Sequence, residues 1–481
     1  MNPADIRVVE RFFAEGIWKA ESALHLGGEP DAWEERADMV LLRGSDGRPF
    51  IPGSSLAGAA RSSLREAGGE SGVLTALFGG DPDRRHTTQY ASALTVFDAH
   101  LPDHQTMPQA VVRDGVRIDP VNGLAMDRFK YDIELFPAGT SFRLRLLLAI
   151  YNQPPHDADH GALLAWFRAV LEGFSGGEIR LGARTNRGLG LGRVEHWNIR
   201  RLGIDSREHL AAWLSGAWNE GEPVELSGLP EPVCGSRRRL LDIRATLRLK
   251  TSLLNRSGGA EARYPDMVHL SEGGRPLLTG SSFAGVLRAR CLRIANTFTP
   301  NTASALVDGM FGPRYNPDIP AGTQAPLRAS RVRVEESLLS GVELMVQGRV
   351  AIDRFTGGAL ESALFDEAPA YPVDGMESVA SVRLTLREPS RRESALLLLA
   401  FKDLWLGDLA LNGEVAVGRG VFEGVRASIE LPDFGCLGMR AAQDGPKNVL
   451  LRESIPGAWR QLNETIQSWR GDQWNDEQKA C

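Results

Sequence analysis

The chain has 481 residues, of which 42% are hydrophobic and 24% are charged, and its formal net charge is −6. This is the composition of a folded globular protein, and the length favours two or three domains. It excludes a mostly disordered chain. The acidic balance argues against indiscriminate binding of nucleic acid, although an average over so long a chain does not describe local patches.

The N-terminal region and the cysteines bear on the compartment. Residues 1–13 show no basic segment followed by an apolar run and a small-residue cleavage site, and no apolar run approaches the length of a membrane span. The four cysteines, Cys234, Cys291, Cys436 and Cys481, lie far apart without the spacing of metal ligands. We therefore expect a cytoplasmic protein with free thiols, no disulfide and no structural zinc.

The first part of the sequence predicts six elements in chain order. They are a strand, a helix, two strands, a helix and a strand, at residues 17–26, from Ser54 onward, 91–98, 140–150, 161–174 and 191–199. This β-α-β-β-α-β order is that of the ferredoxin-like (RRM-like) fold, an antiparallel sheet backed by two helices.

The second part of the sequence repeats the first. GRPFIPGSSLAGAAR at 47–61 matches GRPLLTGSSFAGVLR at 274–288 without a gap, and further landmarks follow in the same order. The second set of elements is predicted at residues 241–250, from Ser281 onward, 330–336, 380–388, 393–405 and 420–430. The prediction is an α+β protein with two tandem ferredoxin-like domains and long insertions.

Domain boundaries follow from composition. We place the first domain at residues 1–203 and the second at 240–430, each long enough to bury its own core. Residues 204–239, rich in Gly, Pro and acidic groups, are interpreted as a linker. Residues 431–481 are interpreted as a C-terminal helical tail that packs or docks through Trp459, Trp469 and Trp474.

The repeated motif places glycine and serine where a helix begins. A helix start attracts anions, and glycine lets a phosphate approach closely. The alternative is an ordinary helix cap followed by solvated arginines, but a cap needs only one serine, so the repetition favours a binding role. The candidate phosphate-binding residues are Ser54, Ser55, Arg61 and Arg65 in the first copy and Ser281, Ser282 and Arg288 in the second.

A second candidate binding segment is rich in arginine and glycine. Residues 180–201 contain six arginines and one glutamate, and they include Arg184 and Arg187. A dinucleotide fingerprint is rejected because a strand, rather than a helix, follows the glycines. The alternatives left are a sugar-phosphate contact and a turn with solvated arginines. The second copy retains only Arg419 here, which predicts a weaker contact.

These residues together resemble a known family. PFIPGSSLAGAAR, then IDP with GLAMDRF, then the arginine-glycine loop, resemble the RAMP superfamily of CRISPR interference proteins, in particular the backbone subunits of type III complexes. The second copy, with GSSFAGVLR and IDRFTGGA, is similar as well. The resemblance covers about residues 17–200 and 240–430. Two such modules in one chain are similar to the fused arrangement of type III-D systems.

The resemblance implies a role in RNA binding. Such subunits stack along a guide RNA, grip its phosphates through the helix start and the glycine loop, and insert a hairpin called the thumb into the guide–target duplex. The implied partners are guide CRISPR RNA, complementary target RNA and other type III subunits, with no membrane. The matching thumb residues are Asp119, Met126, Phe129, Asp353, Arg354 and Phe355.

The resemblance also implies cleavage sites. Nuclease members cut target RNA at regular intervals with an aspartate in the loop before the repeated helix, and the matching residues are Asp38 and Asp266. A carboxylate there would hold Mg²⁺ or another divalent cation, or act as a weak base; we favour the metal. Solvated loop charges are the alternative, and Glu29, Asp31, Glu34 and Glu35 are alternative ligands. His25, typical of an RNA contact at the strand end, is replaced by Asn255 in the second copy.

The leading hypothesis is therefore a guide-RNA-binding backbone subunit that is also a metal-dependent endoribonuclease. A non-catalytic backbone subunit is the second hypothesis, and a nuclease that processes guide precursors is the third; the IDRF motif argues against the third. Two histidine pairs have the i, i+4 spacing of metal ligands, but polar loop histidines are favoured for both because no third ligand is evident. They are His100 with His104 and His156 with His160.

Overall fold

The structure is a computed structural model. It describes residues 7–28, 37–80, 91–119, 124–152, 159–232, 239–258, 265–314, 326–432, 435–442 and 445–453, and beyond these residues 457, 460, 463, 464 and 467.

The chain divides into two compact units. The first comprises Met1–Gly115, Tyr131–Thr185 and Leu189–Arg238, and the second comprises Val116–Lys130, Asn186–Gly188 and Arg239–Cys481. Each unit contains one copy of the predicted core. We call the copy before residue 239 the first module and the copy after it the second module.

The first module contains the following elements. Its strands are β1 Val8–Ala20, β2 Phe50–Ile51, β3 Leu94–Val96, β4 Ala99–His100, β5 Val111–Ile118, β6 Ala125–Leu135, β7 Ser141–Tyr151, β8 Gly192–Gly203 and β9 Glu222–Val224. Its helices are α1 Gly53–Glu66, α2 Ser71–Phe78, α3 His160–Gly176 and α4 Arg207–Ser215. The sheet order is β2-β4-β7-β1-β8-β9, and β3 pairs with β7.

The second module repeats this arrangement. Its strands are β10 Leu240–Leu249, β11 Arg256–Gly258, β12 Met267–His269, β13 Ser271–Glu272, β14 Arg275–Leu278, β15 Val332–Val334, β16 Ser337–Ser340, β17 Val342–Leu344, β18 Gln347–Ile352, β19 Ala359–Ala368, β20 Ala370–Pro372, β21 Val379–Arg387, β22 Phe422–Leu431, β23 Gly435–Ala442 and β24 Gly445–Glu453. Its helices are α5 Gly280–Phe298, α6 Ala303–Phe311 and α7 Arg391–Leu406. The main sheet runs β13-β14-β16-β21-β10-β22-β23-β24, with β15 on β21.

The two cores confirm the predicted ferredoxin-like fold. The order β8-β1-β7-β3 in the first module corresponds to β22-β10-β21-β15 in the second, and every one of these pairings is antiparallel. The alternation predicted for residues 140–150 is realised in β7, where Phe142 and Leu144 are buried on the core face.

Helices α1 and α3 cover one face of the first sheet, α5 and α7 cover the same face of the second, and α3 and α7 begin with side-chain caps. Asp159 accepts a hydrogen bond from the Ala162 backbone N–H at 2.8 Å and starts α3. Ser390 and Glu393 form a reciprocal capping box at the start of α7. Fully buried aromatic side chains such as Phe167 in the first core fill the space beneath the helices. Within the described part of the chain, no helix combines the length and apolar character needed to cross a membrane.

Each module carries a long β-hairpin at the position of the predicted thumb. In the first, β5 pairs with β6; in the second, β18 pairs antiparallel with β19. We call these the first and second thumb.

Two boundary predictions differ from the structure. The segment predicted as a linker, 204–239, contains α4 and β9, and β9 adds to the first sheet by pairing with β8. The segment predicted as a helical tail begins instead with β23 and β24, which extend the second sheet because Leu437 is buried and packs in the core. The three tryptophans through which the tail was predicted to pack or dock, Trp459, Trp469 and Trp474, lie outside the described residues.

Candidate RNA interface and carboxylate sites

The two predicted catalytic aspartates make the same contact in both modules. Asp38 Oδ2 accepts a hydrogen bond from the backbone N–H of Asp132 at 2.9 Å, and Asp266 Oδ2 accepts one from the backbone N–H of Asp366 at 3.0 Å. The donors lie on β6 and β19, the second strand of each thumb. Both aspartates are exposed. The repeat therefore reproduces the place of the carboxylate as well as its residue type.

Three segments meet around Asp38 in the first module. Met39 pairs in parallel with Ile133 at the base of the thumb, and Leu24, just after β1, pairs with Phe136. The third segment is the arginine- and glycine-rich loop that contains Ala183. The Ala183 N–H donates a hydrogen bond to the backbone carbonyl of His25, just after β1, at 2.9 Å. In the second module β12 pairs in parallel with β19, so the thumb base, the aspartate segment and the end of the first strand meet again.

A divalent cation fits the exposed carboxylates in one mode. Mg²⁺ is commonly held by one or two carboxylates together with phosphate oxygens and water. Among the described residues, no group of three or more His, Cys, Asp or Glu could hold a metal by itself. The alternative ligands Glu29, Asp31, Glu34 and Glu35 lie outside the described residues. A cation at Asp38 or Asp266 would therefore need further oxygen ligands from water or from a bound phosphate.

His25 is placed differently from the expected RNA contact. Its side chain is 1% exposed, and its Nδ1 donates to the Glu134 carbonyl at 2.7 Å. Burial, the main cause, lowers the pKa of His25. The Glu134 carboxylate in turn accepts from the Leu41 N–H at 3.0 Å. These two side chains fasten the aspartate segment to the thumb base, so His25 has a structural position here.

The second module fastens the same segment with a histidine that sequence reasoning missed. His269, also 1% exposed, accepts a hydrogen bond at Nδ1 from the Asn255 N–H at 3.0 Å, so its ring is neutral. Burial lowers the pKa of His269 to about 4. Its position, three residues after Asp266 in β12, gave no sequence signal because the first module has Leu41 in the matching place.

This buried histidine predicts a pH dependence of stability. The unfolded chain takes up a proton near pH 6.5 and the folded chain only near pH 4, so stability is lost as pH falls through that window. We expect the free energy of unfolding to fall by about 3 kcal/mol across it, and His269→Gln to remove that part of the slope. Urea unfolding at several pH values measures the difference. His104→Gln, at an exposed loop position, is the control; equal slopes for the wild type and His269→Gln would contradict the assignment.

The repeated glycine at the helix start serves packing. A Cβ on Gly53 would lie 2.2 Å from the Val96 carbonyl oxygen, and one on Gly280 would lie 2.6 Å from the Val334 carbonyl oxygen. The helix thus starts directly on the backbone of β3 or β15, which excludes any larger residue. In the first module Asp98, rather than a serine, caps the helix by accepting from the Gly53 N–H at 2.7 Å.

The serines next to these glycines make no cap bonds and face outward. The N-cap residues are Pro52 in α1 and Thr279 in α5, and neither makes a side-chain cap hydrogen bond. Ser54, Ser55 and Ser281 are exposed and Ser282 is half-buried. The serines therefore do not cap either helix, and their predicted role in phosphate binding stays a prediction.

The repeated helix arginines have a structural contact in both modules. Arg61 Nη1 donates to the Gly80 carbonyl at 3.2 Å, and Arg288 Nη1 donates to the Gly312 carbonyl at 2.6 Å. Burial lowers the pKa of Arg288 to about 10. These arginines hold the chain just beyond α2 and α6, while Arg65 is exposed in the last turn of α1.

The glycine loops of the two modules have the same backbone. With a shift of 230 residues, positive φ angles recur at Arg184 and Glu414 (both 59°) and at Gly190 and Gly420 (71° and 80°). A Cβ on Gly190 or Gly420 would lie within 2 Å of a carbonyl oxygen across the loop. Glycine is needed at these two positions because the loop backbone packs against itself, so the requirement does not depend on a bound ligand.

The shared backbone reveals a charge reversal between the modules. Arg184 Nη1 donates to the Tyr131 hydroxyl at 2.6 Å, and its guanidinium carbon lies 4.3 Å from the centre of that ring. Arg184 Nη2 also approaches Met39 Sδ at 3.4 Å, next to Asp38. In the second module the matching residue is Glu414. The first module thus places a cation against the residue that follows its aspartate, and the second places a carboxylate at the same backbone position.

A buried ion-pair network surrounds Glu414. Arg419, 5% exposed, donates from Nε to Glu414 at 2.7 Å and from Nη2 to Glu367 at 3.0 Å. Arg349 bridges the same two glutamates at 3.0 and 2.8 Å, and Arg256 reaches Glu414 at 2.9 Å. The predicted RNA contact of Arg419 does not fit this buried, fully engaged position. The residues next to Arg419 in sequence resemble those of the first glycine loop. Its partner Glu367 is distant in sequence, so the sequence pattern did not predict the ion pair.

The thumbs differ in how they present apolar side chains. The Phe355 side chain at the tip of the second thumb is 99% exposed. Asp353 shapes that tip by accepting from the Phe355 N–H at 3.0 Å and the Thr356 hydroxyl at 2.8 Å, and the first of these bonds is the main cause that lowers the pKa of Asp353. Arg354 beside it is exposed.

In the first thumb the aromatic residue of the predicted set lies within β6 and is partly covered. Phe129 lies under the Arg117 guanidinium at 4.9 Å, and Met126 is also half-buried. The Asp119 N–H donates to the Leu124 carbonyl at 2.8 Å and closes the described part of the hairpin.

The histidine pairs give no metal site among the described residues. His100 stacks on Phe50 with ring centres 5.9 Å apart, and His160 Nε2 donates to the Tyr151 carbonyl at 2.5 Å. His156 lies outside the described residues.

Comparison with known proteins gives one family. The model of the RAMP superfamily matches residues 19–194 and, separately, residues 246–423. Each match begins in the first core strand of a module and ends in the last. A search of curated proteins gave no match.

Proposed function

Because this chain belongs to the RAMP superfamily, as two copies in one polypeptide, we propose that it is a guide-RNA-binding backbone subunit of a type III CRISPR effector complex. In this proposal it binds target RNA complementary to the guide and cuts it once at Asp38 and once at Asp266. The fused arrangement would resemble that of type III-D systems, and other subunits of the complex would be its neighbours.

One observation carries the cleavage proposal. In each module an exposed aspartate is fastened to the thumb strand through one carboxylate oxygen. A thumb that displaces a nucleotide would bring the freed phosphodiester close to this carboxylate. The same contact in two copies with otherwise divergent loops supports a shared role for Asp38 and Asp266.

The proposed reaction uses the RNA's own 2′-hydroxyl. The 2′-oxygen attacks the adjacent phosphorus, the bond to the 5′-oxygen breaks, and the proton lost from the 2′-hydroxyl is balanced by one gained at the leaving oxygen. Holding these atoms in line supplies several kcal/mol of the barrier reduction. A bound divalent cation would neutralise charge on the phosphate oxygens. The aspartate would either hold the cation, which in turn orients the phosphodiester, or accept the proton of the 2′-hydroxyl.

A non-catalytic backbone subunit is the second candidate, and one observation favours it. The hydrogen bond from each aspartate to the thumb would also be made by a residue whose only role is to hold the hairpin. Substitution by asparagine separates these roles, because its amide oxygen accepts the same bond without the charge.

We expect the first module to bind guide phosphates more strongly than the second. The reason is the cation at Arg184, where the second module has Glu414 in an internal network. For single-stranded RNA each lost phosphate contact lowers the slope of log affinity against log salt by about 0.7, so Arg184→Gln with Arg187→Gln should lower it by up to ~1.4. Filter binding of guide RNA from about 50 to 300 mM KCl measures the slope.

The matched control removes the same charge elsewhere. Arg207→Gln with Arg328→Gln changes two exposed arginines outside the proposed path and should leave the slope close to that of the wild type. Equal slopes for all three proteins would contradict the proposed path of the guide.

A further inference from the structure

A groove of about 450 Å³ lies on the second sheet, on the face away from the helices. The inward residues of β10, such as Ile243 and Leu247, are buried in the core beneath α5 and α7. Thr246 lies between them in sequence and points to the opposite face, where it lines the groove with Ser381, Arg426 and Arg440. Four neighbouring strands thus contribute side chains to one surface.

Two arginines of this groove face each other. Arg426 on β22 is the direct partner of Arg440 on β23, and both are exposed. Side chains in such a position have Cβ atoms about 5 Å apart, and like charges there repel. Arg426 Nε donates to the Thr246 hydroxyl at 3.2 Å. Among the described residues no carboxylate lies within ion-pair distance of either arginine.

The next row of the same face is also rich in arginine. Arg244 and Arg383 both contact the Asp242 carboxylate at 2.9 Å, and Arg383 also contacts the Glu335 carboxylate at 3.4 Å. Arg452 on β24 lies opposite Gly438. The one acid that lines the groove, Glu377, lies 4.0 Å from Arg248. Cationic side chains therefore recur in two adjacent rows, about 6.6 Å apart along the strands.

The first module closes the corresponding face with its own chain. Trp213 of α4 lies 3.9 Å from the Arg11 guanidinium carbon, and Trp218 packs edge-on against Phe13 at 5.1 Å. Phe13 is therefore 3% exposed although it faces away from α1 and α3. In the second module Arg426 and Arg440 on the equivalent face are exposed.

We propose that this groove binds the phosphodiester backbone of single-stranded RNA, on the opposite side of the sheet from the helices and apart from the proposed guide path. Facing arginines supply charge-assisted, forked donors for phosphate oxygens, and Thr246 and Ser381 add hydroxyl donors. Rows of cations that repeat along the strands suit a polymer of phosphates better than a single anion. A phosphate bound between Arg426 and Arg440 would relieve the electrostatic repulsion between the two side chains.

The test compares RNA binding by full-length proteins that already hold saturating guide RNA. The probe is a fluorescein-labelled 20-nucleotide oligo(U), and anisotropy is measured from about 50 to 200 mM KCl. Arg426→Gln with Arg440→Gln should weaken binding about tenfold at low salt and lower the salt slope by about 1.4. The Arg207→Gln, Arg328→Gln protein carries the same charge change and should bind like the wild type.

Three outcomes are informative. The expected loss with an unchanged or higher Tm supports the groove, since removal of the facing charges does not weaken the fold. Affinity and slope equal to those of the control overturn it, whatever the guide-path variants Arg184→Gln and Arg187→Gln do. Loss of an acidic protein from the purified complex, with oligo(U) affinity unchanged, also overturns the RNA assignment and assigns the groove to a protein partner.

Discussion

Asp38→Ala is expected to abolish one cut in the target RNA and to spare the cut made at the other module, and Asp266→Ala is expected to do the reverse. The two carboxylates lie in separate modules, each on its own thumb strand, so neither depends on the other for position. Loss of a group that positions charge or transfers a proton costs about a hundredfold or more in rate. Cuts are mapped in a 5′-labelled complementary RNA with Mg²⁺.

The alanine variants also lose the bond to the thumb, so asparagine variants are the matched control. Asp38→Asn keeps an acceptor for the Asp132 N–H and removes the negative charge. If cleavage requires the charge, alanine and asparagine variants lose the same cut. Full cleavage by Asp38→Asn together with loss in Asp38→Ala would show that the aspartate only anchors the thumb.

Arg419→Met is expected to destabilise the second module by about 3 kcal/mol, since removal of one cation from a buried ion-pair network leaves its two carboxylates only partly compensated. Glu367 is 1% exposed, and the methionine would leave Arg349 as its remaining cationic partner. For a module of this size the loss corresponds to a fall in Tm of roughly 10 °C. Differential scanning calorimetry measures the transition, and hydrogen exchange in β12 and β19 assigns it to the second module.

The matched control lies in the same network but near solvent. The Arg256 side chain is 50% exposed and pairs with Oε1 of Glu414, so Arg256→Met should cost less than about 1 kcal/mol. A loss for Arg419→Met as small as that of the control would show that the network contributes no stability to the module.

The fold was predictable from the sequence because its signals are local. Alternation in residues 140–150 requires a strand with one buried face, and β7 has it. Because the sequence is repeated, each core element is predicted independently in both copies. The boundaries after each core were not predicted, because they depend on contacts that are not local. Strand β9 and the β23–β24 hairpin are held by pairing with the strands that precede them, and composition does not report pairing.

The site was predictable in its residue types and only partly in their roles. Asp38 and Asp266 could be matched by position, and the structure adds their bond to the thumb. The repeated glycine was interpreted as an opening for phosphate, whereas Gly53 is needed because Val96 lies against it. Burial decides the place of Arg419, and no sequence pattern reports it. The equivalence of Arg184 and Glu414 emerges only from their shared left-handed backbone.

The most direct test of the central claim is a single-turnover assay on the complex that carries Asp38→Asn and Asp266→Asn together. Labelled target RNA is bound to the guide-loaded complex, Mg²⁺ is added, and bound and cut RNA are measured on the same samples. The account predicts that the target binds with wild-type affinity and stays intact at both positions. Cuts at the wild-type positions and rates, from RNA bound equally well, would contradict it and leave this chain as a backbone subunit that holds guide and target.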